Sequence, residues 1–202
     1  NLGLHLINGL LAIWLAGLLL KSIPHSPCTP VEHRLLPLWI GAAWLLHPMQ
    51  FTAVAMAVQR MTLLSALFLM LALIFHLKGT YQAHSARTRL LLLLCAWLLF
   101  WPLSVFSKEN GLIFPLLVLA ISFYTTQHAS RPTISATATA GAALAVAGAL
   151  LYWRFGLDWL DHGYQMRSFT MIERLMTEAR VVWFYAAQIS LPSYSAFALY
   201  LD

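Results

Sequence analysis

Long apolar runs alternate with short polar stretches along the whole chain, and this pattern predicts seven helices. A helix satisfies its backbone groups internally in lipid, and the Leu- and Ala-rich runs lack the two-residue alternation of membrane strands. Because about 20 apolar residues cross a bilayer, we expect an all-α, polytopic transmembrane bundle of about six or seven membrane helices plus short interfacial helices. The runs fall at residues 2–20, 35–46, 61–77, 90–106, 112–126, 134–153 and 176–191.

Composition indicates that lipid surrounds most of the chain. Its 202 residues are 60% hydrophobic and only 9% charged, and the mean hydropathy is +0.74. A soluble domain carries roughly 25% charged residues, so we expect a multi-pass integral membrane protein. The net charge of +5 is spread too thinly for a nucleic-acid partner. The sequence lacks the motifs of soluble phosphate-binding proteins and hydrolases, and we expect no cofactor and no metal.

The distribution of cations predicts the orientation in the membrane. Cytoplasmic loops carry an excess of Lys and Arg, and the odd-numbered connections hold most of them. The stretch 47–60, the stretch "SKENG" and the long connection before the last run would then share the non-cytoplasmic face. The cations of the odd-numbered connections are Lys21, Arg34, Lys78, Arg87, Arg89 and Arg131, and their single acid is Glu32.

The stretch "HPMQFTAVAMAVQR" interrupts two apolar runs. Pro48 disfavours helix for His47, so the second helix should end there. Helical spacing from Gln50 to Arg60 predicts a short surface helix, and His47 and Arg60 would flank a pocket at its mouth. The alternative is that His47 caps a helix end and Arg60 contacts lipid head groups.

The stretch "SKENG" is a short connection between two apolar runs. Gly111 offers the backbone angle that a tight connection favours, and Pro102 and Pro115 are expected to bend the flanking helices. Lys108 could bind a phosphate as a point charge, while Asn110 could hydrogen-bond a sugar hydroxyl. The alternative is a solvated hairpin turn at the membrane edge.

Ionisable residues open the last run. Glu173, Thr177 and Arg180 share one helical face, and Arg174 forms an i,i+4 pair with Glu178. Such residues are costly in a membrane helix and are functional candidates there. This helix is therefore either interfacial or enters the bilayer from its polar end.

Small and polar residues inside two other runs predict contacts between helices. Gly141 and Gly148 are seven positions apart on one face, which is typical of a close packing seam in lipid. His5 and Asn8 in the first run are expected to form buried hydrogen bonds to neighbouring helices.

Four stretches, in this order, resemble multi-spanning glycosyltransferases of the GT-C type, and most of all the bacterial relatives of the transmembrane, tetratricopeptide-repeat-containing O-mannosyltransferases. They are "NLGLHLINGLLAIWL", "HPMQFTAVAMAVQRMTLLSALFLMLAL", "SKENGLIFPLLVL" and "RLMTEARVVWFYAAQISLP". The resemblance implies transfer of a hexose or pentose from a polyprenyl-phosphate donor to a protein or glycan acceptor on the non-cytoplasmic face, which would be the periplasmic face of a bacterial inner membrane. It also implies that residues 1–202 are one transmembrane domain from a longer chain. This domain would lack the family's first helix and the first outer loop, which carries the catalytic acid. The stretch "HPMQFTAV" lacks an acidic residue that the family often has there.

The resemblance suggests three roles for the polar residues at the helix ends. Fixed cations stabilise the charge that grows on the leaving phosphate, polar side chains orient the sugar, and a carboxylate assists the acceptor hydroxyl as a base. A transporter and a non-catalytic membrane scaffold, in which these residues only pin helices, are the alternatives. The expected substrate- and phosphate-binding residues are His47, Gln50, Arg60, Lys108, Asn110 and Arg180, and the expected catalytic residues are Glu109 and Glu178.

Overall fold

The computed structural model of the protein describes residues 1–22, 29–127 and 169–191, together with positions 141, 143, 146–148, 150 and 154. The chain divides into two compact units, Asn1–Ala143 and Leu144–Asp202. The described residues form helices and no strand, so the all-α class is confirmed for this part of the chain. The expectation of one transmembrane domain stays a prediction.

Short helical turns of other types separate or extend the α-helices of the first unit. A 3-10 turn precedes α4 at Ala57–Gln59, and a second one precedes α7 at Glu109–Ile113. A π-helical turn, Lys78–Gln82, extends α4, and another, Cys95–Phe100, joins α5 to α6. In residues 1–127 the α-helices are α1 Leu2–Ser22, α2 Pro30–Leu46, α3 Gln50–Ala55, α4 Arg60–Leu77, α5 Ala86–Leu94, α6 Trp101–Ser107 and α7 Phe114–Gln127.

Among the described residues, three helices are long and apolar enough to cross a membrane. They are Leu2–Ser22, Ala57–Gln82 and Ala86–Ser107, and a shorter apolar helix covers Glu109–Thr125. The protein thus has the helical character of a membrane protein. The predicted run 134–153 lies mostly outside the described residues, so the total of six or seven spans stays a prediction.

Capping boxes move the starts of two helices ahead of the predicted positions. α2 begins at Pro30 and not at residue 35, because the Thr29 hydroxyl accepts the N–H of Glu32 while the Glu32 carboxylate accepts the N–H of Thr29. The last helix, α8, covers Met171–Ser190 and not 176–191, and Thr170 and Glu173 form the same pair at its start. Both starts have the Thr-x-x-Glu signature of a capping box, which the apolar pattern alone does not reveal.

The two prolines near "SKENG" have different consequences. Pro102 has no N–H to donate, and the wider π-helical turn directly before it accommodates the interruption of the hydrogen-bond ladder. Pro115 is the second residue of α7, where its N–H would have no helical partner in any case. The expectation that Pro115 bends a helix is therefore wrong, since it begins one.

Buried polar residues of α1 hold that helix against α2 and α4, as predicted. The His5 Nε2 atom lies 3.0 Å from the carbonyl oxygen of Leu45, and the Asn8 amide donates to the carbonyl of Leu63 at 2.9 Å. His5 also stacks on Trp44, with ring centroids 5.1 Å apart. These contacts fix the start of α1 beside the end of α2 and the start of α4.

Aromatic side chains fill the space between α4, the α5–α6 helix and α7. Trp97 contacts both Trp101 and Phe114 edge-on, and its indole N–H donates to Nδ1 of His76 at 3.3 Å. A Cβ atom at Gly141 would lie 2.6 Å from the Trp97 ring, whereas one at Gly148 would have nothing within 4 Å. The predicted close packing is confirmed at Gly141, whereas at Gly148 no described residue lies near enough to form it.

Candidate functional site

Two of the predicted polar stretches meet at one end of the first unit. The Asn1 amide donates to the carbonyl of Met56 at 2.6 Å, and Nε of Arg60 donates to Oδ1 of Asn1 at 3.3 Å. Two residues further along α4, the Thr62 hydroxyl accepts a hydrogen bond from the Lys108 ammonium at 2.9 Å. The stretch 47–60 and "SKENG" are therefore linked through Thr62, which also donates to the Gln59 side chain, while their shared non-cytoplasmic face stays a prediction. The long connection before α8 lies mostly outside the described residues.

The stretch "HPMQ" builds a tight break between α2 and α3. α2 ends at His47, whose backbone is extended, so the predicted break before Pro48 is confirmed. The Met49 N–H donates to Nδ1 of His47 at 3.2 Å, and the Gln50 N–H donates to the His47 carbonyl at 2.9 Å. His47 therefore closes this turn, as in the capping alternative, and Gln50 is half-buried at the first position of α3.

The surface helix predicted from Gln50 to Arg60 is interrupted. α3 ends at Ala55, and the chain is extended at Met56 (φ −90°, ψ 127°). The 3-10 turn Ala57–Gln59 follows, and Arg60 is the exposed first residue of α4. The carbonyl of Met56 accepts both the Asn1 amide and the N–H of Gln59 in the 3-10 turn, so a tertiary contact accompanies the interruption of the predicted helix.

The stretch "SKENG" folds as one extended residue followed by a 3-10 turn. Lys108 is extended (φ −164°, ψ 147°), and its carbonyl accepts the N–H of Gly111 at 3.0 Å. Gly111 lies outside the left-handed region, so its expected special backbone angle is wrong. Glycine is required instead by close approach, because a Cβ atom there would lie 2.6 Å from backbone atoms of Ser104 and Val105.

A pair of buried serines sets the position of this turn against α4. The Ser104 hydroxyl donates to the carbonyl of Ser65 at 2.9 Å, and the two hydroxyl oxygens are 3.2 Å apart. The side chains are 0% and 2% exposed, respectively. The sequence analysis missed this pair, although a serine inside each of two apolar runs is the usual signal of a hydrogen bond between membrane helices.

Among the residues that the structure describes, no carboxylate forms an ion pair with Lys108. Its side chain is half-buried, and Thr62, which accepts its hydrogen bond, in turn donates to the Gln59 side chain at 2.7 Å. Among the described residues the only ion pair joins Arg174 and Glu178. An ammonium has three N–H donors, and the hydrogen bond to Thr62 occupies one of them. Lys108 is therefore held in place by a neutral group and can still bind an anion.

An open groove of about 590 Å³ lies beside Lys108. Its mouth carries hydroxyl, carboxylate and amide groups, and Glu109 and Asn110 are exposed there. Its remaining wall is aliphatic. This combination of a polar mouth and an apolar wall suits an amphiphile better than a polar metabolite. The polar lining residues are Thr62, Ser65, Glu109 and Asn110, and the apolar ones are Ala66, Leu69, Leu112, Ile113 and Leu116.

Glu178 and Arg180 lie on α8 in the second unit. The predicted i,i+4 pair is present, since Nε of Arg174 is 3.5 Å from Oε1 of Glu178. Arg180 is exposed. Glu173 starts the helix, and hydrogen bonds from the backbone N–H and then the hydroxyl of Thr170 lower its pKa below the ordinary value of 4.5. Arg174 and Glu178 are thus paired with each other, and Glu173 caps the start of the helix.

These observations define a class: a protein whose described part is α-helical, with three helices of membrane-spanning length and a cation that is bonded to Thr62 in the lining of an amphiphilic groove. No family model, no curated protein and no solved structure matches the chain. The assignment to this class therefore rests on the helices and the groove themselves.

Proposed function

We propose that the chain is the membrane part of a GT-C-like glycosyltransferase, which transfers a sugar from a polyprenyl-phosphate donor to a protein or glycan acceptor. In this proposal the whole chain forms about six or seven membrane helices in a bacterial inner membrane, and the site faces the periplasm. One observation carries the proposal: the Lys108 ammonium is fixed by the neutral hydroxyl of Thr62 beside a groove with a polar mouth and an apolar wall.

The groove has a counterpart for each part of such a donor. The phosphate binds Lys108, with Arg60 at the start of the neighbouring helix adding positive charge to the same end. The prenyl chain follows the aliphatic wall at Leu69 and Leu116 toward the lipid. Asn110 is exposed at the mouth, where its amide can hydrogen-bond the sugar.

The proposed reaction is a displacement at the anomeric carbon. The acceptor oxygen forms a bond to this carbon, the bond from the carbon to the phosphate oxygen breaks, and the electron pair stays with the phosphate. A cation already held in place stabilises this growing charge without reorganisation. Glu109 at the mouth takes the proton of the acceptor hydroxyl in this scheme.

The other candidate residues have weaker support. His47 and Gln50 belong to the same end of the first unit, and we propose that they orient the donor. Glu178 and Arg180, on α8, stay predictions as a second carboxylate and a second phosphate-binding cation.

A non-catalytic scaffold is the second candidate, and a specific observation favours it. His47, Arg60 and Lys108 each already make a structural contact, with Met49, Asn1 and Thr62 respectively. In a scaffold these side chains would only pin the helix ends. Their replacement would then lower stability, and no lipid-linked sugar would be consumed.

The test uses the full-length protein in proteoliposomes with undecaprenyl-phosphate mannose carrying a radiolabel. Lys108→Met keeps the length of the side chain and removes its charge, and we expect a loss of transfer of about 100- to 1,000-fold, the usual effect of removing one group that stabilises developing charge. Lys108→Arg should restore part of the activity. Lys21→Met, at the opposite end of α1, is the matched control and should leave transfer unchanged.

The two candidates give different results in this experiment. Under the proposal, the unmodified protein transfers the label, and Lys108→Met loses transfer even at temperatures well below its melting midpoint, where the variant is still folded. A scaffold predicts no release of label by any variant and a lowered midpoint for Lys108→Met. Full transfer by Lys108→Met would overturn the assigned role of this lysine.

A further inference from the structure

Helix α8 has the length of a membrane span but the wrong charge distribution for one. It has 20 residues, Met171–Ser190, and it is not among the three helices apolar enough to cross a membrane. Four ionisable side chains lie in its first ten residues, and such groups are costly at the centre of a bilayer. They are Glu173, Arg174, Glu178 and Arg180.

A continuous apolar stripe runs along one side of α8. Its members recur at the i, i+3, i+4, i+7 spacing of a single helical face, and all of them are exposed. Glu173, Thr177 and Arg180 follow the opposite side at i, i+4 and i+7. The exposed fractions of the stripe residues are Ile172 70%, Leu175 57%, Met176 66%, Val182 66%, Trp183 79% and Ile189 61%.

A lipid bilayer is the one occupant for which this chain supplies a direct argument. Helices of membrane-spanning length elsewhere in the chain keep α8 next to a membrane. A helix with an apolar stripe and a charged opposite face lies in the interface plane, with its stripe about 5–10 Å deep at the boundary between head groups and acyl chains. Trp183 is the type of residue that anchors this depth, and Arg180, beside it in a shallow groove, can extend its guanidinium to the head groups.

We propose that α8 lies flat in the membrane interface, with the stripe immersed in lipid and the face of Thr177 in water. This proposal does not depend on the proposed function. The capping box of Thr170 and the ion pair of Arg174 with Glu178 stabilise the helix on its own.

The charges of α8 make the proposal more specific. Its two arginines and two glutamates cancel, so attraction to anionic lipid contributes little and the apolar stripe drives the association. The same depth is therefore expected in vesicles of phosphatidylcholine alone and in vesicles that also contain phosphatidylglycerol.

The experiment uses the full chain reconstituted into vesicles, with spin labels on single cysteines along α8. The protein has two cysteines, Cys28 and Cys95, and serine replaces both. Labels at Leu175 and Val182 should collide more often with oxygen, which concentrates in lipid, than with a water-soluble nickel chelate. A label at Thr177 should show the reverse, and the full scan from 172 to 189 should oscillate with the helical period.

Three results would overturn the proposal. A steady increase in depth from 172 to 189 would show that α8 crosses the membrane. Low accessibility to both reagents along the stripe would show that a protein, including a second copy of this chain, covers it. High nickel accessibility all around the helix would show that α8 lies in water. Val182→Glu serves as a matched variant, and it should move a label at Leu175 toward the nickel-accessible side, whereas Thr177→Glu should not.

Discussion

Replacing Gly111 by alanine is the sharpest test of how the turn at Lys108 is built. The new Cβ atom would lie 2.6 Å from the backbone carbon of Ser104 and from the backbone nitrogen of Val105, against 3.4 Å for the start of ordinary van der Waals contact. Backbone atoms of a helix cannot rotate away as a side chain can. The 3-10 turn would have to move by most of an ångström, and it would move the Lys108 backbone with it.

The expected magnitude follows from this overlap. Forcing one extra carbon into a packed site lowers the free energy of unfolding by about 1–3 kcal/mol. For a chain of this length that corresponds to a fall in the melting midpoint of about 2–12 °C. Thermal unfolding in detergent measures this shift when it is followed by a thiol-reactive dye in a Cys28→Ser background, where Cys95 is the one thiol left.

Two further variants separate close approach from a general effect of alanine. Gly3→Ala is the matched control, because a Cβ atom there has nothing within 4 Å, and its midpoint should not fall. Ser104→Ala removes one of the three contacting atoms but leaves the two backbone contacts. The double variant Ser104→Ala with Gly111→Ala should therefore keep the lowered melting midpoint of Gly111→Ala. An unchanged midpoint for Gly111→Ala would refute the reasoning about this turn.

Three other predictions test packing, hydrogen bonding and charge. Gly141→Ala should lower the melting midpoint and shift tryptophan emission, because its Cβ atom would contact an indole ring, whereas Gly148→Ala should change neither. Asn8→Ala should lower the free energy of unfolding by about 0.5–2 kcal/mol, since it removes a fully buried hydrogen bond between helices. Asn110→Ala, at an exposed position, should leave the free energy of unfolding unchanged. The ionised Glu173 carboxylate stabilises the start of α8, and its pKa is lowered there. This stabilisation is therefore fully present above the ordinary pKa of 4.5 and is lost as the pH falls through the lowered pKa. The protection factors of the first-turn amides, which correct for the intrinsic slowing of exchange in acid, should therefore fall as the pH is lowered through this pKa, and Glu173→Gln should abolish that change; protection factors that do not respond to pH would contradict the assignment.

The apolar pattern predicted the helices well because lipid-length runs leave few alternatives. α1 and α4 end within a few residues of the predicted positions, and the break at His47 follows directly from Pro48. The errors at the starts of α2 and α8 have one physical cause. Polar capping residues extend a helix beyond its apolar run, and a reading based on hydropathy stops where that run stops.

The candidate site was only partly predictable because its geometry depends on contacts between distant residues. Lys108 was identified from its place between two runs, and the distribution of cations brought it to the same end as Arg60. Neither argument could supply Thr62 as its hydrogen-bond partner, since a threonine in an apolar run indicates a contact between helices but not which residue it meets. The close approach that requires Gly111 also depends on which face of α6 the turn meets.

The structural contact of Lys108 and its proposed binding role are compatible, and one comparison separates them. If the ammonium only holds the residues after α6 against α4, Thr62→Val and Lys108→Met remove the same hydrogen bond. The two variants should then have equally lowered melting midpoints and should not differ in transfer. If it also binds the donor phosphate, Thr62→Val keeps the charge but loosens its position, so transfer should fall less than in Lys108→Met. Raising the salt concentration should then weaken transfer by the Thr62→Val protein and leave the residual rate of Lys108→Met unchanged, because only a charged site is screened by ions. Equal transfer rates in the two variants at every salt concentration would show that the positive charge itself contributes nothing.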